Sequence, residues 1–486
     1  MATEKNNKMY YIHIAIFLII TFGVGFLPPF AQITPLGMKV LGVFLGIIYG
    51  WCFIALDWPS MVALLSLAII GYDSGTNLLY SGWSFQILPQ LILCFLLAEA
   101  ISQTNLTDYI SNKLLSFKLL QGKPYLLLAG IMLGTVIMNL SGAAYAGIFV
   151  MWAIVRNIAM KAGYEKRNIF STVCVTSIIS IFMWTSYVFL FKPGTIMMVG
   201  ILQQGMPDIQ VPPFLNWTIL WSVYVLTYLI LWPLVIKYIF RLDFSAVANI
   251  DLETMVDKDM RMTKDQKFGL GCLVVFILMM LLQQLLPSTW VITQVLTRLG
   301  LSGCLMVIIC VMAAYRNAEG KSFISLQNVA KGISWNVVWL LIATEPIANA
   351  FNAEACGIMP SIMAVITPIL TSLSPMLFMA VCVIVLCMLT QIIHNLVFMV
   401  IFIPMLCPMY LQLGGNPYVM FIGLVIATNA AFATPAASWS AAMMFGESSI
   451  IVKKTYLHGF LHVVFSLLLL FVIMVPLGDI LLPFTM

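Results

Sequence analysis

The sequence predicts an all-α polytopic membrane protein: about 11 transmembrane helices plus two helical hairpins, set in an inverted repeat. Three observations predict it. Of 486 residues, 62% are hydrophobic and 8% charged, against about 45–50% and about 25% in soluble domains. Apolar runs near the roughly 20 residues that span a bilayer follow one another along the chain, without the alternation of a transmembrane barrel. Finally, the same landmarks recur in the same order in both halves. This composition excludes a soluble enzyme, a disordered chain and a nucleic-acid partner.

Residues 1–35 hold an N-terminal helix, with its apolar run at 11–27. That run is long for a signal peptide and no small-residue cleavage motif follows it, so no cleavable leader is expected. The first repeat, 36–240, contains apolar segments at 36–51, 58–71 and 86–102, then an amphipathic stretch at 106–120. A hairpin follows, 124–138 and 142–160, around the polar break Asn139-Leu140-Ser141. Next comes a helix at 168–190, broken at Lys192-Pro193-Gly194 before 194–202, and a span at 214–240. Residues 241–267 are the one long hydrophilic segment and read as a cytoplasmic connector. The second repeat, 268–486, contains 268–286, 300–314, 334–352 and an interfacial or spanning run at 357–373. A hairpin, 375–393 and 396–413, flanks His394-Asn395. A broken helix, 418–433 and 436–446, flanks Thr434-Pro435, and 457–482 closes the chain. The hairpin arm 124–138 is short for a span, whereas 375–393 is long enough for one.

The net charge of +5 is mainly an orientation signal. With the N-terminus in the cytoplasm, 20 of the 23 Lys and Arg residues fall inside, which obeys the positive-inside rule and leaves the C-terminus outside. Lys39 and Arg298 fall outside, and Lys192 falls within the membrane. The ten cysteines form no CxxC pair and are scattered through apolar runs, so they read as small buried hydrophobes.

The repeat rests on three pairs of landmarks. Glu99 and Glu345 sit in apolar helices, Asn139-Leu140 and Asn395-Leu396 break the hairpins, and Lys192-Pro193-Gly194-Thr195 and Thr434-Pro435-Ala436-Ala437 break helices. The pairs lie 246, 256 and 242 residues apart. By the charge census the first hairpin opens from the cytoplasm and the second from outside. Inverted repeats with interrupted helices are a transporter signature, and broken backbone at membrane depth survives only where it is buried in protein or lines a cavity. Freed N–H groups attract anions and freed carbonyls attract cations. The candidate site therefore gathers Asn139, Ser141 and Gly142 at one tip and His394 and Asn395 at the other. The breaks add Lys192, Pro193, Gly194 and Thr195, and Thr434, Pro435, Ala436, Ala437 and Ser438.

The segment Asn429-Ala430-Ala431-Phe432-Ala433-Thr434-Pro435-Ala436-Ala437-Ser438-Trp439-Ser440-Ala441-Ala442-Met443-Met444-Phe445-Gly446 resembles the C-terminal Thr-Pro break, small residues and Phe-Gly of the divalent-anion/sodium symporter family. The order of helix, hairpin, broken helix, loop and repeat is similar across nearly the whole chain. The resemblance implies an elevator transporter, a dimer, in which two hairpins and two broken helices slide against a scaffold. It implies a dicarboxylate, citrate or sulfate as substrate, usually with sodium, and no other cofactor. The family places a Ser-Asn-Thr triplet at each tip. Here the tips read Met138-Asn139-Leu140 and His394-Asn395-Leu396, so Asn139, Asn395, Thr434 and Pro435 match and the flanking hydroxyls do not.

Individual residues keep two readings each. Lys192 supplies the positive charge of a coupling cation or binds the anion, against a lysine that snorkels to an interface. His394 carries a coupling proton or makes a structural hydrogen bond. Glu99 and Glu345 share an architectural role, such as capping hairpin backbone, or couple ions. His458 and His462 have metal-ligand spacing without a third ligand and read as interfacial. Gly42, Gly46 and Gly50, and Gly130 and Gly134, read as close-packing seams. No phosphate-binding loop and no protease or nucleophile-elbow motif is present, which disfavours a pump or an intramembrane enzyme. A secondary transporter for a small anion, driven by sodium or protons, is the leading function. The alternatives are a channel and an ion-transporter-superfamily permease for a different substrate, proton-coupled or sodium-independent, in which Lys192 replaces a cation.

Overall fold

The computed structural model describes residues 2–85, 87–104, 106–141, 144–252, 257, 260–316, 320, 322–358, 360–361, 364, 373–391, 395–435 and 437–484. The regular structure of these residues is all helical, with no strand and only one isolated bridge, between Arg316 and Ser322.

The first half runs α1 (Ala2–Gly23), α2 (Pro35–Phe53), α3 (Trp58–Ile69), α4 (Gly75–Trp83), α5 (Ile87–Ser102), α6 (Leu106–Leu115), α7 (Pro124–Leu140), α8 (Ala144–Lys161), α9 (Ile169–Thr185), α10 (Pro193–Gly205) and α11 (Phe214–Leu234). The short α12 (Ser245–Ala248) lies in the connector. The second half runs α13 (Lys264–Leu285), α14 (Val291–Ala314), α15 (Leu326–Val329), α16 (Trp335–Asn352), α17 (Pro375–Leu389), α18 (Asn395–Gln412), α19 (Pro417–Asn429), α20 (Trp439–Phe445), α21 (Val452–Leu469) and α22 (Val475–Leu481). Among the described residues six helices are long and apolar enough to cross a bilayer, and α3, α7, α9, α17 and α19 are shorter apolar helices.

Three boundaries differ from expectation. α4 forms where no element is expected, because Ser74 caps it by accepting from the Asn77 amide at 3.1 Å. α14 begins at Val291 rather than residue 300, running through a kink at Gly300 whose φ of 56° suits glycine. The hairpin arm expected over 375–393 ends as a helix at Leu389 and, at 15 residues, is shorter than a span. The run at 357–373 falls largely outside the described residues.

Local signals explain the helix starts. Pro124, Pro193 and Pro417 open α7, α10 and α19, where a missing N–H costs nothing. Asn168 caps α9 through Ser171 at 2.7 Å, and Ser438 caps α20 through Ala441 at 3.1 Å. Thr263 and Gln266 form a reciprocal capping box on α13.

Helices α9 and α19 form the centre. All 13 residues of α19 are buried, and 15 of the 17 in α9 are buried too. A helix apolar on every side belongs in the middle of a bundle. The glycine seam of α2 packs on α1, as expected: a Cβ on Gly46 would lie 2.0 Å from Thr21 Oγ1.

A second packing device uses proline. Pro408 has no N–H to give Pro404, and Pro346 none to give Ile342. Glycines of other helices come close to both carbonyls. A Cβ on Gly205 of α10 would lie 2.2 Å from Pro404 O, and one on Gly82 of α4 would lie 2.1 Å from Ile342 O.

Candidate functional site

The two helix breaks are built alike. In the first half α9 stops at Thr185 and the chain runs unwound to Lys192, whose ψ of 136° is the extended geometry forced on a residue before proline. In the second half α19 stops at Asn429, residues 430–435, 437 and 438 are non-helical, and α20 starts at Trp439.

Each hairpin-tip asparagine binds the break of its own half. Asn139, 1% exposed at the end of α7, donates through Nδ2 to Phe182 O at 2.8 Å and Ser186 Oγ at 2.9 Å. Asn395, at the start of α18, donates its backbone N–H to Ala437 O at 3.1 Å and its Nδ2 to Asn429 Oδ1 at 3.3 Å. Asn429 in turn donates to Val425 O at 2.8 Å.

The residues before the two prolines also match. Lys192 donates from Nζ to Asn139 O and, at 3.1 Å, to Asn139 Oδ1. Thr434 donates from Oγ1 to Gln391 O, just beyond α17. Gln391 reinforces that corner by accepting from Ala433 N at 3.0 Å and donating to Ala430 O at 2.9 Å. Thr195 donates to Ser186 O at 3.2 Å across the first break, and Ser438 to Ala431 O at 2.9 Å across the second. Ser141 turns back to Met138 O at 2.9 Å.

The structure thus brings Asn139, Lys192 and Thr195 together at one break and Asn395, Thr434, Ala437 and Ser438 at the other. Pro193 and Gly194 form the first turn of α10. Pro435 follows Thr434 in the second break. Gly142, His394 and Ala436 lie outside the described residues. Lys192 does not snorkel: it is 8% exposed and points inward. Glu99 and Glu345 behave alike, each accepting from the amide side chain one turn on, Gln103 at 3.0 Å and Asn349 at 3.5 Å. Both bonds are local to one turn of chain, and among the described residues neither glutamate bonds to hairpin backbone.

Sequence reasoning places His458 and His462 at an interface, but both are buried, 3% and 0% exposed. α21 packs its histidine face on α9 and the second break. His462 Nδ1 lies 2.6 Å from Tyr228 OH, and its ring centroid is 3.8 Å from that of Trp232. Gly459 sits between the two histidines, and a Cβ there would lie 2.4 Å from Phe432 O. The missed signal is the glycine flanked by two histidines one turn apart, which marks a face built for close approach.

The two halves are tied at one end. Arg156, near the end of α8, donates to Glu447 Oε2 at 2.7 Å. Ser449 O accepts from Asn168 N at 3.3 Å, and Ile451 N donates to Thr172 Oγ1 at 2.9 Å.

The sequence pattern of the sodium:sulfate symporter transmembrane region matches residues 5–483. The chain belongs to this family. It is accordingly a multi-pass membrane protein of a transporter family, not of an enzyme family. Its fold is similar to that in the crystal structure of the Alcanivorax borkumensis YdaH transporter, described as having an unusual topology. The TM-score is 0.57 at 15% identity, covering 98% of each chain. At that identity the likeness speaks to fold alone. No curated protein matches the chain.

Proposed function

We propose that the protein is a secondary active transporter that moves a small di- or tricarboxylate, or sulfate, across the cytoplasmic membrane together with sodium. The observation that carries this reading is the paired construction at the breaks: each tip asparagine ties to the unwound segment of its own half. Half-helix ends at such breaks offer amides to an anion and carbonyls to a cation. At the first break the opening turn of α10, with Gly194 and Thr195, faces the anion's charge, and Lys192 adds a positive charge nearby. Membership of the sodium:sulfate symporter family supports both the anion and the sodium.

The two hairpins and two broken helices, an inverted repeat, form a transport unit that slides as an elevator against the remaining helices of a homodimer embedded in lipid. The contacts among Arg156, Glu447, Asn168 and Ser449 support a unit that moves as one body. The N-terminus lies in the cytoplasm and the C-terminus outside, and the four segments 1–35, 36–240, 241–267 and 268–486 divide the chain. No cofactor other than the coupled ion takes part.

A second reading, a permease of the same superfamily for another anion, is favoured by Leu140 and Leu396, which follow the tip asparagines where the divalent-anion symporters carry a hydroxyl. One experiment separates them: uptake of labelled succinate, citrate and sulfate into proteoliposomes with and without a sodium gradient. Saturable, sodium-driven uptake of one of them supports the first reading. No uptake of any of the three overturns it in favour of the second.

A further inference from the structure

Lys192 and Thr434 stand at the same place in their halves, each immediately before the proline of the broken helix. Each donates to a carbonyl at the far end of its hairpin's first arm, Lys192 to Asn139 O and Thr434 to Gln391 O. Carbonyls at a helix C-terminus carry partial negative charge and draw cations. In the first half an ammonium already fills that position, hydrogen-bonded also to Asn139 Oδ1 at 3.1 Å. Among the described residues it has no carboxylate partner. In the second half the donor is a neutral hydroxyl. The matching asparagine, Asn395, is 4% exposed and its Oδ1 has no hydrogen-bond partner among the described residues. An unpartnered buried carbonyl oxygen is unfavourable, and a bound cation relieves it.

We propose that the Lys192 ammonium is a tethered cation belonging to the first half, so that a single exchangeable monovalent cation, held against Asn395 Oδ1, couples transport. The proposal rests on the transporter reading above. The tethered charge stabilises a bound anion as a free ion would. It is never released, so it draws no work from the gradient, and each cycle carries one ion fewer than two exchangeable sites would carry.

The test is the sodium activation curve of anion uptake in proteoliposomes, paired with melting of the detergent-purified protein in sodium or choline chloride. Wild type is expected to show a Hill coefficient of about 1, and Lys192→Arg the same. Lys192→Ser is expected to melt lower in choline and to recover in sodium. Its uptake should return only at sodium concentrations at least about ten-fold higher, with a coefficient approaching about 2. Asn395→Ala is expected to lose sodium activation. A wild-type coefficient near 2, a Lys192→Ser protein whose melting ignores sodium, or uptake driven by protons with no response to sodium would each overturn the proposal. Absence of all anion uptake would overturn the transporter reading instead, and the melting comparison would still decide the tethered cation.

Discussion

Trp184 meets Phe432 edge to face, with ring centroids 5.7 Å apart and planes at 86°. Trp184 is the penultimate residue of α9 and Phe432 lies in the unwound segment after α19, so the two breaks touch through an aromatic pair. Ser440 of α20 adds a contact to Met183 Sδ at 3.6 Å. Trp184→Ala removes a fully buried ring and is expected to lower stability by about 3–5 kcal/mol. Trp184→Phe keeps an aromatic ring at that contact and is expected to lose less than half as much. Thermal unfolding in detergent, followed by near-ultraviolet circular dichroism, checks both.

Thr434 contributes a hydroxyl, not a shape. Its Oγ1 satisfies Gln391 O in a corner where Gln391 is itself fully engaged. Thr434→Ser is expected to keep uptake within about two-fold of wild type. Thr434→Val, nearly isosteric, leaves a carbonyl unsatisfied at about 1–3 kcal/mol and is expected to lower uptake at least about ten-fold. Initial rates at matched protein per liposome measure the difference, and equal loss in both variants would show that shape matters instead.

Gly205 and Gly82 admit no side chain. A methyl group on either would sit about 2 Å from a backbone carbonyl oxygen, and backbone cannot swing aside. Gly205→Ala and Gly82→Ala are each expected to destabilise by about 1–3 kcal/mol. Gly271, whose Cβ would meet nothing within 4 Å, is the control: Gly271→Ala is expected to melt at or slightly above wild type.

Glu447 gives a pH-dependent contribution. Burial works against its charge, but the hydrogen bond and charge of Arg156, with the hydroxyl and amide of Ser449, outweigh that and hold its carboxyl below the ordinary 4.5. A depressed carboxyl stabilises the fold fully above its unfolded value and loses that contribution as pH falls through its folded value. Glu447→Gln is therefore expected to melt lower than wild type at pH 7, by about 1 kcal/mol given the partly exposed Arg156. The two proteins should converge as pH falls below 4.5. Melting curves across that range decide it, and a gap that persists at low pH would assign the loss to packing.

The breaks and tips were legible because polar residues and prolines interrupt apolar runs, as at Asn139, Lys192-Pro193, Asn395 and Thr434-Pro435. Such interruptions are expensive in a membrane, so a sequence that keeps them in two matching places marks where its helices break. What each interruption binds was not legible. That Lys192 reaches back to Asn139 across 53 residues, or that Trp184 meets Phe432, depends on how helices stack. The burial of His458 and His462 was missed for the same reason: their helix is apolar on both sides, and only its neighbours decide which side faces lipid. Helix α4 was missed because its nine residues include Asn77, Ser81 and glycines, and read as loop.

The complete burial of α19 bears on how the chain is made. Its 13 residues rise about 20 Å, well short of the roughly 30 Å of hydrocarbon, and it ends on Asn429 and an unwound segment. Alone in a membrane it would leave those polar groups in oil. It cannot settle as an independent segment when it leaves the ribosome. This helix is therefore expected to settle only once α17, α18 and α22, which pack against it, are in place to receive it, so α19 joins the centre of the protein late.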